Sequence, residues 1–148
     1  MLVRKCITVG RPPNEVYAFW RDFENLPRFM YHLERVENTG VNRSHWVAKG
    51  PAGRKVEWDA EVVEDRPNER IAWRSVGADD DVRNSGSVSF LPIPGQSGTE
   101  VQVELEYDPP GGMFGATIAM LFGEEPGLQI VDDLRRFKHM LELRESAR

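Results

Sequence analysis

The sequence predicts an α+β fold in which one antiparallel sheet packs against a long C-terminal helix. Three observations predict it. Residues 34–107 alternate between short strand-like runs and turn residues. Two short helical patterns follow the first strand, and one long helical pattern lies near the C-terminus. A chain of 148 residues, 40% apolar and 29% charged, suits one domain with a single core, so residues 1–148 are expected to form one domain.

The first elements are a strand and two short helices. Residues 2–9 are rich in Val and Ile and end before Gly10, which predicts a strand. The run Asn25, Leu26 and Pro27 is expected to interrupt the first helix, and a second, short helical turn is predicted from Leu26, Phe29, Met30 and Leu33. The first helix is predicted from a Pro-Pro start followed by apolar residues at helical spacing, namely Val16, Phe19, Trp20 and Phe23.

The middle of the chain predicts six strands joined by short turns. They span residues 34–39, 43–49, 54–65, 69–76, 86–93 and 98–107. Because short connections favour hairpins, the strands are expected to form an antiparallel meander. In the third of them Val56, Trp58 and Ala60 alternate with charged residues. One face of the sheet is therefore predicted to be apolar and the other to face water.

The long helix is predicted from Gly127 to Arg144. Its charged residues, among them Asp133 and Arg136, are assigned mostly to the faces away from the core. The apolar stripe consists of Ile130, Val131, Leu134, Phe137, Met140 and Leu141.

The segment 107–126 joins the last strand to this helix. It starts with a Pro-Pro-Gly-Gly break and continues with a short apolar stretch. The stretch is too short to span a bilayer, and no Gly-Lys-Ser/Thr motif follows the glycines, as a phosphate loop would require. It predicts a short helix, which either covers the mouth of a cavity or is a buried structural helix.

Composition excludes several classes of function. The net charge of −5 and the absence of a basic cluster argue against a nucleic-acid partner. A single cysteine, Cys6, excludes an internal disulfide and a cysteine-based zinc site. No apolar run near the N-terminus is long enough for a secretory signal, so a cytoplasmic location is expected. The sequence leaves the oligomeric state open.

Four stretches resemble a known superfamily. They are RPPNEVYAFWRDFENLPRFM, HWVAKGPAGRKVEWDAEVVEDRPNERIAWRS, GTEVQVELEYDPPGG and LRRFKHMLE. They resemble the START and polyketide cyclase/dehydrase superfamily (SRPBCC), in particular a bacterial cyclase/dehydrase subgroup related to coenzyme Q-binding START-like proteins. The resemblance implies a helix-grip fold: a curved seven-stranded antiparallel sheet wrapped around the long C-terminal helix, with an apolar cavity between them.

The resemblance and the strand alternation together predict which residues line this cavity. An aromatic-rich surface with few polar groups suits a flat or chain-like apolar ligand, although large aromatic side chains equally fill a solid core. Gly111, Gly112 and Gly123 are predicted to form the gate of the cavity. The predicted lining comprises Trp20, Phe29, Met30, Trp46, Trp58, Trp73, Phe90, Tyr107, Phe114, Ile118, Phe122, Leu134 and Phe137.

The leading hypothesis is binding or transport of a lipid, an isoprenoid quinone or a polyketide-like compound. One alternative is a cyclase or dehydratase that uses the same cavity, which requires an ionisable group pointing inward; another is a protein-interaction module with a collapsed cavity. The apolar segment before the long helix also suggests transient contact with a membrane. No catalytic residue, metal site or cofactor is predicted, because His32, His45 and His139 lie in separate elements and no nucleophile motif occurs. The sequence therefore favours a non-catalytic protein.

Overall fold

The structure is a computed structural model that describes residues 2–49, 55–76, 84–107 and 126–146. The strands are β1 (Leu2–Val9), β2 (Leu33–Gly40), β3 (Arg43–Lys49), β4 (Lys55–Arg66), β5 (Arg70–Val76), β6 (Asn84–Pro92) and β7 (Thr99–Tyr107). The helices are α1 (Pro13–Arg21), a 3₁₀ helix (Phe23–Arg28) and α2 (Pro126–Ser146). No helix within these ranges is long and apolar enough to cross a membrane.

Across the described ranges, seven strands form one antiparallel sheet in the order β1-β7-β6-β5-β4-β3-β2. Strands β2 to β7 are the predicted meander, and β1 pairs with β7 along its whole length. The apolar stripe of α2 joins the residues of the inner face of the sheet in one core. This is the helix-grip arrangement that the resemblance implies, and the predicted fold class is confirmed.

The predicted division of the sheet into two faces is also confirmed. In β4, Val56, Trp58 and Ala60 are buried, whereas the charged residues between them are exposed. The pairing shifts register between Val62 and Glu64, a bulge that leaves Val63 half exposed. Before that bulge, the apolar residues of β4 lie on the inner face of the sheet, in the same core as the buried residues of α2, because side chains alternate along a strand.

The second short helix differs from the prediction. It is a 3₁₀ helix at Phe23–Arg28 rather than a turn at 26–33, and Pro27 lies inside it instead of interrupting the preceding helix. The break comes earlier, at Asp22, whose backbone is extended and whose side chain accepts a hydrogen bond from the Glu24 amide at 3.2 Å. Capping by Asp22 begins a new helix there, and the apolar spacing through Phe23 masks this boundary.

The long helix covers its predicted range and extends slightly beyond it at both ends. Ile130, Leu134, Phe137 and Leu141 are buried, as the stripe predicts. The proposed short helix before it and the three gate glycines, Gly111, Gly112 and Gly123, lie outside the described residues.

Candidate ligand site

Three tryptophans lie side by side on the inner face of the sheet, and we call them the tryptophan wall: Trp46 on β3, Trp58 on β4 and Trp73 on β5. Trp46 and Trp58 are directly paired across their strands, and their rings are 5.7 Å apart with an angle of 30° between the planes. The Trp46 and Trp73 rings are 6.5 Å apart at 26°. The rings are therefore nearly parallel and present a broad apolar surface to the interior.

Small residues and one phenylalanine hold the wall in place. The Trp46 indole N–H donates a hydrogen bond of 2.8 Å to the hydroxyl of Ser44. Trp73 crosses Gly86 on the neighbouring strand so closely that a Cβ atom there would lie 2.6 Å from the indole ring. Phe23 from the 3₁₀ helix meets the Trp46 and Trp73 rings edge-on at 5.7 and 5.6 Å. Phe23 was not among the predicted cavity residues, yet it covers part of the wall.

A second aromatic group lies on the helix side of the core, and we call it the helix-side cluster: Trp20, Phe29 and Phe137. The Phe29 and Phe137 rings are 4.9 Å apart, and Trp20 lies 5.3 and 5.1 Å from them. All three side chains are completely buried. They connect α1, the segment after the 3₁₀ helix and α2, so they tie the helices to one another.

The remaining predicted lining residues are partly described. Met30, Phe90 and Leu134 are buried in the same core, and Phe90 meets the Tyr17 ring edge-on at 5.9 Å, which places it beside α1. Tyr107 ends β7, and its side chain lies outside the described part of the chain. Phe114, Ile118 and Phe122 also lie outside it. That these residues line a cavity stays a prediction.

A polar corner adjoins the helix-side cluster and consists of Asp133, Arg136 and His32. Contrary to the prediction that Asp133 lies on a polar face of the helix, its side chain is completely buried. One carboxylate oxygen accepts a hydrogen bond from the Arg136 guanidinium, which also donates to the Phe29 carbonyl at 2.9 Å. The other oxygen, Oδ2, lies 3.8 Å from Nδ1 of His32 and has no hydrogen-bond partner within the described structure.

Burial shifts the pKa values of this corner toward the neutral forms of its titratable groups. It raises the pKa of Asp133 to about 7, although the Arg136 charge opposes the shift. It lowers the pKa of His32 to about 4, and the same arginine charge lowers it further. At neutral pH the histidine is therefore uncharged, so the 3.8 Å approach is not an ion pair.

The polar corner is the feature of the core that the sequence pattern missed. On a helical wheel Asp133 lies about 40° from Phe137, at the margin of the apolar stripe rather than opposite it. The segment 29–32 covers that margin, and its exposed Tyr31 stacks on Arg136 with the guanidinium 4.0 Å from the ring centre. One signal was available: an acid and a base at i and i+3 beside a buried stripe form a pair that can be buried together.

The other two histidines lie away from the polar corner. His45 points away from the tryptophan wall and bonds to Asp59 and Glu57 at 2.8 and 2.9 Å. Hydrogen bonds to these two carboxylates raise its pKa. His139 is exposed. Among the described residues, no group of three or more histidine, cysteine or acidic side chains is arranged to hold a metal ion.

Where the chain is described, open grooves lie outside the core, and three of them are large enough to compare with a ligand site. One of about 280 Å³ lies between α1 and the end of α2, and Arg11, Glu15 and Asp22 are part of its lining. A second, of about 290 Å³, lies along β5, β6 and β7 and is flanked by arginine and glutamate side chains. A third, of about 370 Å³, lies by the turn between β4 and β5. Their charged linings suit an apolar ligand less well than the interior does.

The sequence of the chain is similar to that of a known protein family and of a bacterial relative. The sequence model of a family described as "polyketide cyclase / dehydrase and lipid transport" matches residues 9–135. An uncharacterized 17.2 kDa protein of Streptomyces lincolnensis is 32% identical over 145 residues, which are 96% of this chain and 90% of that protein.

Solved structures agree with the fold. A crystal structure of a Deinococcus radiodurans protein is 42% identical, covers 97% of this chain and 98% of its own, and superposes with a TM-score of 0.78. A START superfamily protein from Mycobacterium smegmatis is 16% identical with a TM-score of 0.72, covering 96% of this chain and 97% of its own. At that identity the second likeness supports the fold alone.

Proposed function

Because the chain belongs to the polyketide cyclase/dehydrase and lipid transport family, we propose that it binds or transports a hydrophobic small molecule between the sheet and α2. The tryptophan wall carries this proposal. Its nearly parallel rings suit a flat ring system or an extended isoprenoid or acyl chain, because apolar ligands gain most from broad aromatic contact. The ligand classes we favour are a lipid, an isoprenoid quinone and a polyketide-like compound.

The chemistry of the wall supports this choice. The three indoles stack on one another and together form an apolar surface, and the Ser44 hydroxyl beside them already accepts the hydrogen bond of the Trp46 indole N–H. A ligand would therefore bind this surface through apolar contact area rather than through directed hydrogen bonds. A site of this kind selects ligands by shape and hydrophobicity, and polar discrimination has to come from its margins.

Binding can be measured with N-phenyl-1-naphthylamine, an apolar probe whose fluorescence rises out of water. We expect saturable binding with energy transfer from the tryptophans, and competition by a lipid extract whose bound components mass spectrometry then identifies. Trp58→Phe should weaken probe binding about threefold to tenfold, since aromatic contacts contribute roughly 0.5–1.5 kcal/mol beyond area.

Val47→Ala is the matched control, because Val47 is buried next to Trp46 on β3 but lies on the other face of the sheet. It should lower the stability to a comparable degree and leave the affinity within about twofold of wild type. An absence of saturable probe binding to the folded wild-type protein, or equal effects of the two variants, would count against the proposal.

The buried Asp133 favours a second function, cyclisation or dehydration of a bound polyketide-like chain. A carboxyl whose pKa lies near 7 in an apolar interior can both accept and donate a proton at neutral pH. Incubation with a short poly-β-keto thioester should then yield a product that has lost water, detected by mass spectrometry. Equal product from wild type and Asp133→Asn would remove the carboxyl from the reaction, and no product from either would leave binding as the function.

A further inference from the structure

Asp133 contains a buried carboxylate oxygen that no part of the described structure satisfies. Its side chain is 0% exposed, and Oδ1 is occupied by Arg136. Gln129, one turn earlier in α2, lowers the pKa of the Asp133 carboxyl through a side-chain hydrogen-bonding interaction, yet Oδ2 has no hydrogen-bond partner among the described residues. Buried polar atoms in folded proteins are almost always hydrogen-bonded, and an exception indicates a missing partner.

We propose that Asp133 Oδ2 is a subsite for one hydroxyl group of an otherwise apolar ligand. The inference rests on the proposed binding function and narrows the ligand class to alcohols, phenols or enols with an apolar body. An ionised carboxylate accepts hydrogen bonds and does not donate them, so its partner must be a donor. Arg136 already balances the charge, which favours a neutral hydroxyl over an ammonium group.

The position of Asp133 supports this role. Phe137 follows it by one turn in α2 and contacts Phe29 and Trp20, so the carboxyl lies at the edge of the helix-side cluster. Arg136 donates to the Phe29 carbonyl and thereby joins α2 to the segment 29–32. The carboxyl is thus positioned from two elements beside apolar rings, where a directed hydrogen bond discriminates strongly between ligands.

His32 controls access to this oxygen. Its Nδ1 lies 3.8 Å from Oδ2, which is too long for a hydrogen bond, and the carboxyl is shielded from solvent. A ligand hydroxyl therefore reaches Oδ2 when the His32 ring turns aside. The movement is a rotation of the His32 side chain, and the His32 backbone stays in place with its carbonyl accepting a hydrogen bond of 2.8 Å from the Lys49 amide at the end of β3.

The test compares 2-naphthol with 2-methoxynaphthalene, which share a ring system but differ in hydrogen-bond donation. Each displaces N-phenyl-1-naphthylamine from wild type and from Asp133→Asn at a pH above 7, where the Asp133 carboxyl is ionised. In the variant the amide oxygen is expected to stay on Arg136, because an amide nitrogen does not accept, and the NH₂ then faces the ligand. The ratio of naphthol to methoxynaphthalene affinity should fall about tenfold or more.

Asp132→Asn is the matched control, since Asp132 is the preceding residue, is exposed and pairs with Arg135 at 3.7 Å. It should leave the affinity ratio within about twofold of wild type. Because the ratio is compared between proteins, differences in the water solubility of the two compounds cancel. A ratio unchanged by Asp133→Asn overturns the subsite, and a water molecule is then the partner of Oδ2.

The pH dependence of wild type provides a second measurement that needs no variant. Among the described residues, the charged or titratable groups around the carboxyl are Arg136 and Asp132 on α2 and His32 on the facing segment. Arg136 stays charged, and His32, with a pKa of about 4, stays neutral at the pH values used. The affinity ratio should therefore fall as the pH drops through about 7 and Asp133 is protonated.

A ratio that is flat across this range overturns the subsite even if Asp133→Asn fails to fold. Failure of the subsite can be told apart from failure of the proposed binding function. If wild type does not bind N-phenyl-1-naphthylamine, the proposed function is wrong. If it binds the probe but the ratio of 2-naphthol to 2-methoxynaphthalene affinity does not change, only the subsite is wrong.

Discussion

The tryptophan wall and the polar corner contribute to one core in opposite ways. The wall is built from side chains that alternate along regular strands, and its stability comes from apolar burial and ring packing. The corner is built from a buried carboxyl, an arginine and a histidine at the margin of α2, and it holds a charge away from water. The contribution of the wall to stability therefore depends on side-chain shape, whereas that of the corner depends on charge and pH.

The largest expected effect is on the corner. Arg136→Met leaves the buried Asp133 carboxyl without its partner, and because the Arg136 side chain is itself 29% exposed, we expect a cost of about 3 kcal/mol, the lower end of the range for a buried pair. Because the pKa of Asp133 is already raised to about 7, protonation relieves this penalty in acid. The loss in free energy of unfolding should thus be larger above pH 7 than below it, as urea denaturation at the two pH values will measure.

Arg135→Met is the control for this variant, because Arg135 is the adjacent, exposed arginine and pairs with Asp132 on the surface. It should change stability by less than about 0.5 kcal/mol. Combining Asp133→Asn with Arg136→Met should recover part of the loss. If the two arginine variants destabilise equally at both pH values, the corner is not a buried charge site.

An intermediate effect is expected in the wall. Gly86→Ala places a methyl group 2.6 Å from the Trp73 ring and 2.8 Å from Leu105, so Trp73 must shift. Overpacking of this kind costs about 2 kcal/mol, and the tryptophan fluorescence should change with it. Unlike the loss in the corner, this one should not depend on pH.

Gly40→Ala tests whether any glycine in a strand behaves this way. A Cβ atom at Gly40 meets nothing closer than 3.6 Å, and the residue is exposed at the end of β2. Its replacement should leave the denaturation midpoint nearly unchanged. A Gly86→Ala variant as stable as Gly40→Ala, with unaltered fluorescence, would show that Trp73 does not need the space above the glycine.

The smallest expected effect concerns the pH dependence of stability that two histidines contribute, because their pKa values are shifted in opposite directions. The pKa of His32 is lowered to about 4, so its contribution to stability is present above the ordinary value of 6.5 and is lost as pH falls toward 4. At about pH 5.5 the wild-type protein should have lost about 1 kcal/mol through this residue. His32→Gln should flatten that part of the stability profile, measured by urea denaturation from neutral to acid pH.

His45→Gln is expected to act with the opposite sign. The pKa of His45 is raised by Glu57 and Asp59, so its contribution is present below 6.5 and is lost as pH rises through the raised pKa. Its partners are exposed, which limits the effect to about 0.5 kcal/mol. If the stability of His32→Gln and that of His45→Gln changed with pH in the same way, the opposite pKa shifts of the two histidines would be contradicted.

The wall shows why much of this fold could be predicted from sequence. Strand residues alternate strictly between two faces, so placing Trp46, Trp58 and Trp73 on one face needed only their positions and the antiparallel pairing. Each predicted strand lies within two residues of an observed one at both ends. The 3₁₀ helix was placed wrongly because the capping hydrogen bond that the Glu24 amide donates to the Asp22 side chain outweighed the apolar spacing.

The corner shows what sequence pattern does not determine. Asp133 lies at the margin of a helical stripe, and the stripe alone does not say whether another segment covers that margin. The burial of Asp133 depends on the segment 29–32, whose contact with α2 joins residues more than a hundred positions apart in the chain. Only that tertiary contact removes water from the carboxyl and raises its pKa.

The sequence by itself determined the order of elements, the two faces of the sheet and the apolar surface that faces α2, because these depend on local periodicity and short turns. The tertiary structure alone decided which polar group is enclosed beside that surface, how closely Trp73 crosses Gly86, and which oxygen of Asp133 is left without a partner. The physical reason is that hydrophobic periodicity acts along the chain, whereas desolvation depends on everything packed around a group, wherever in the chain it originates.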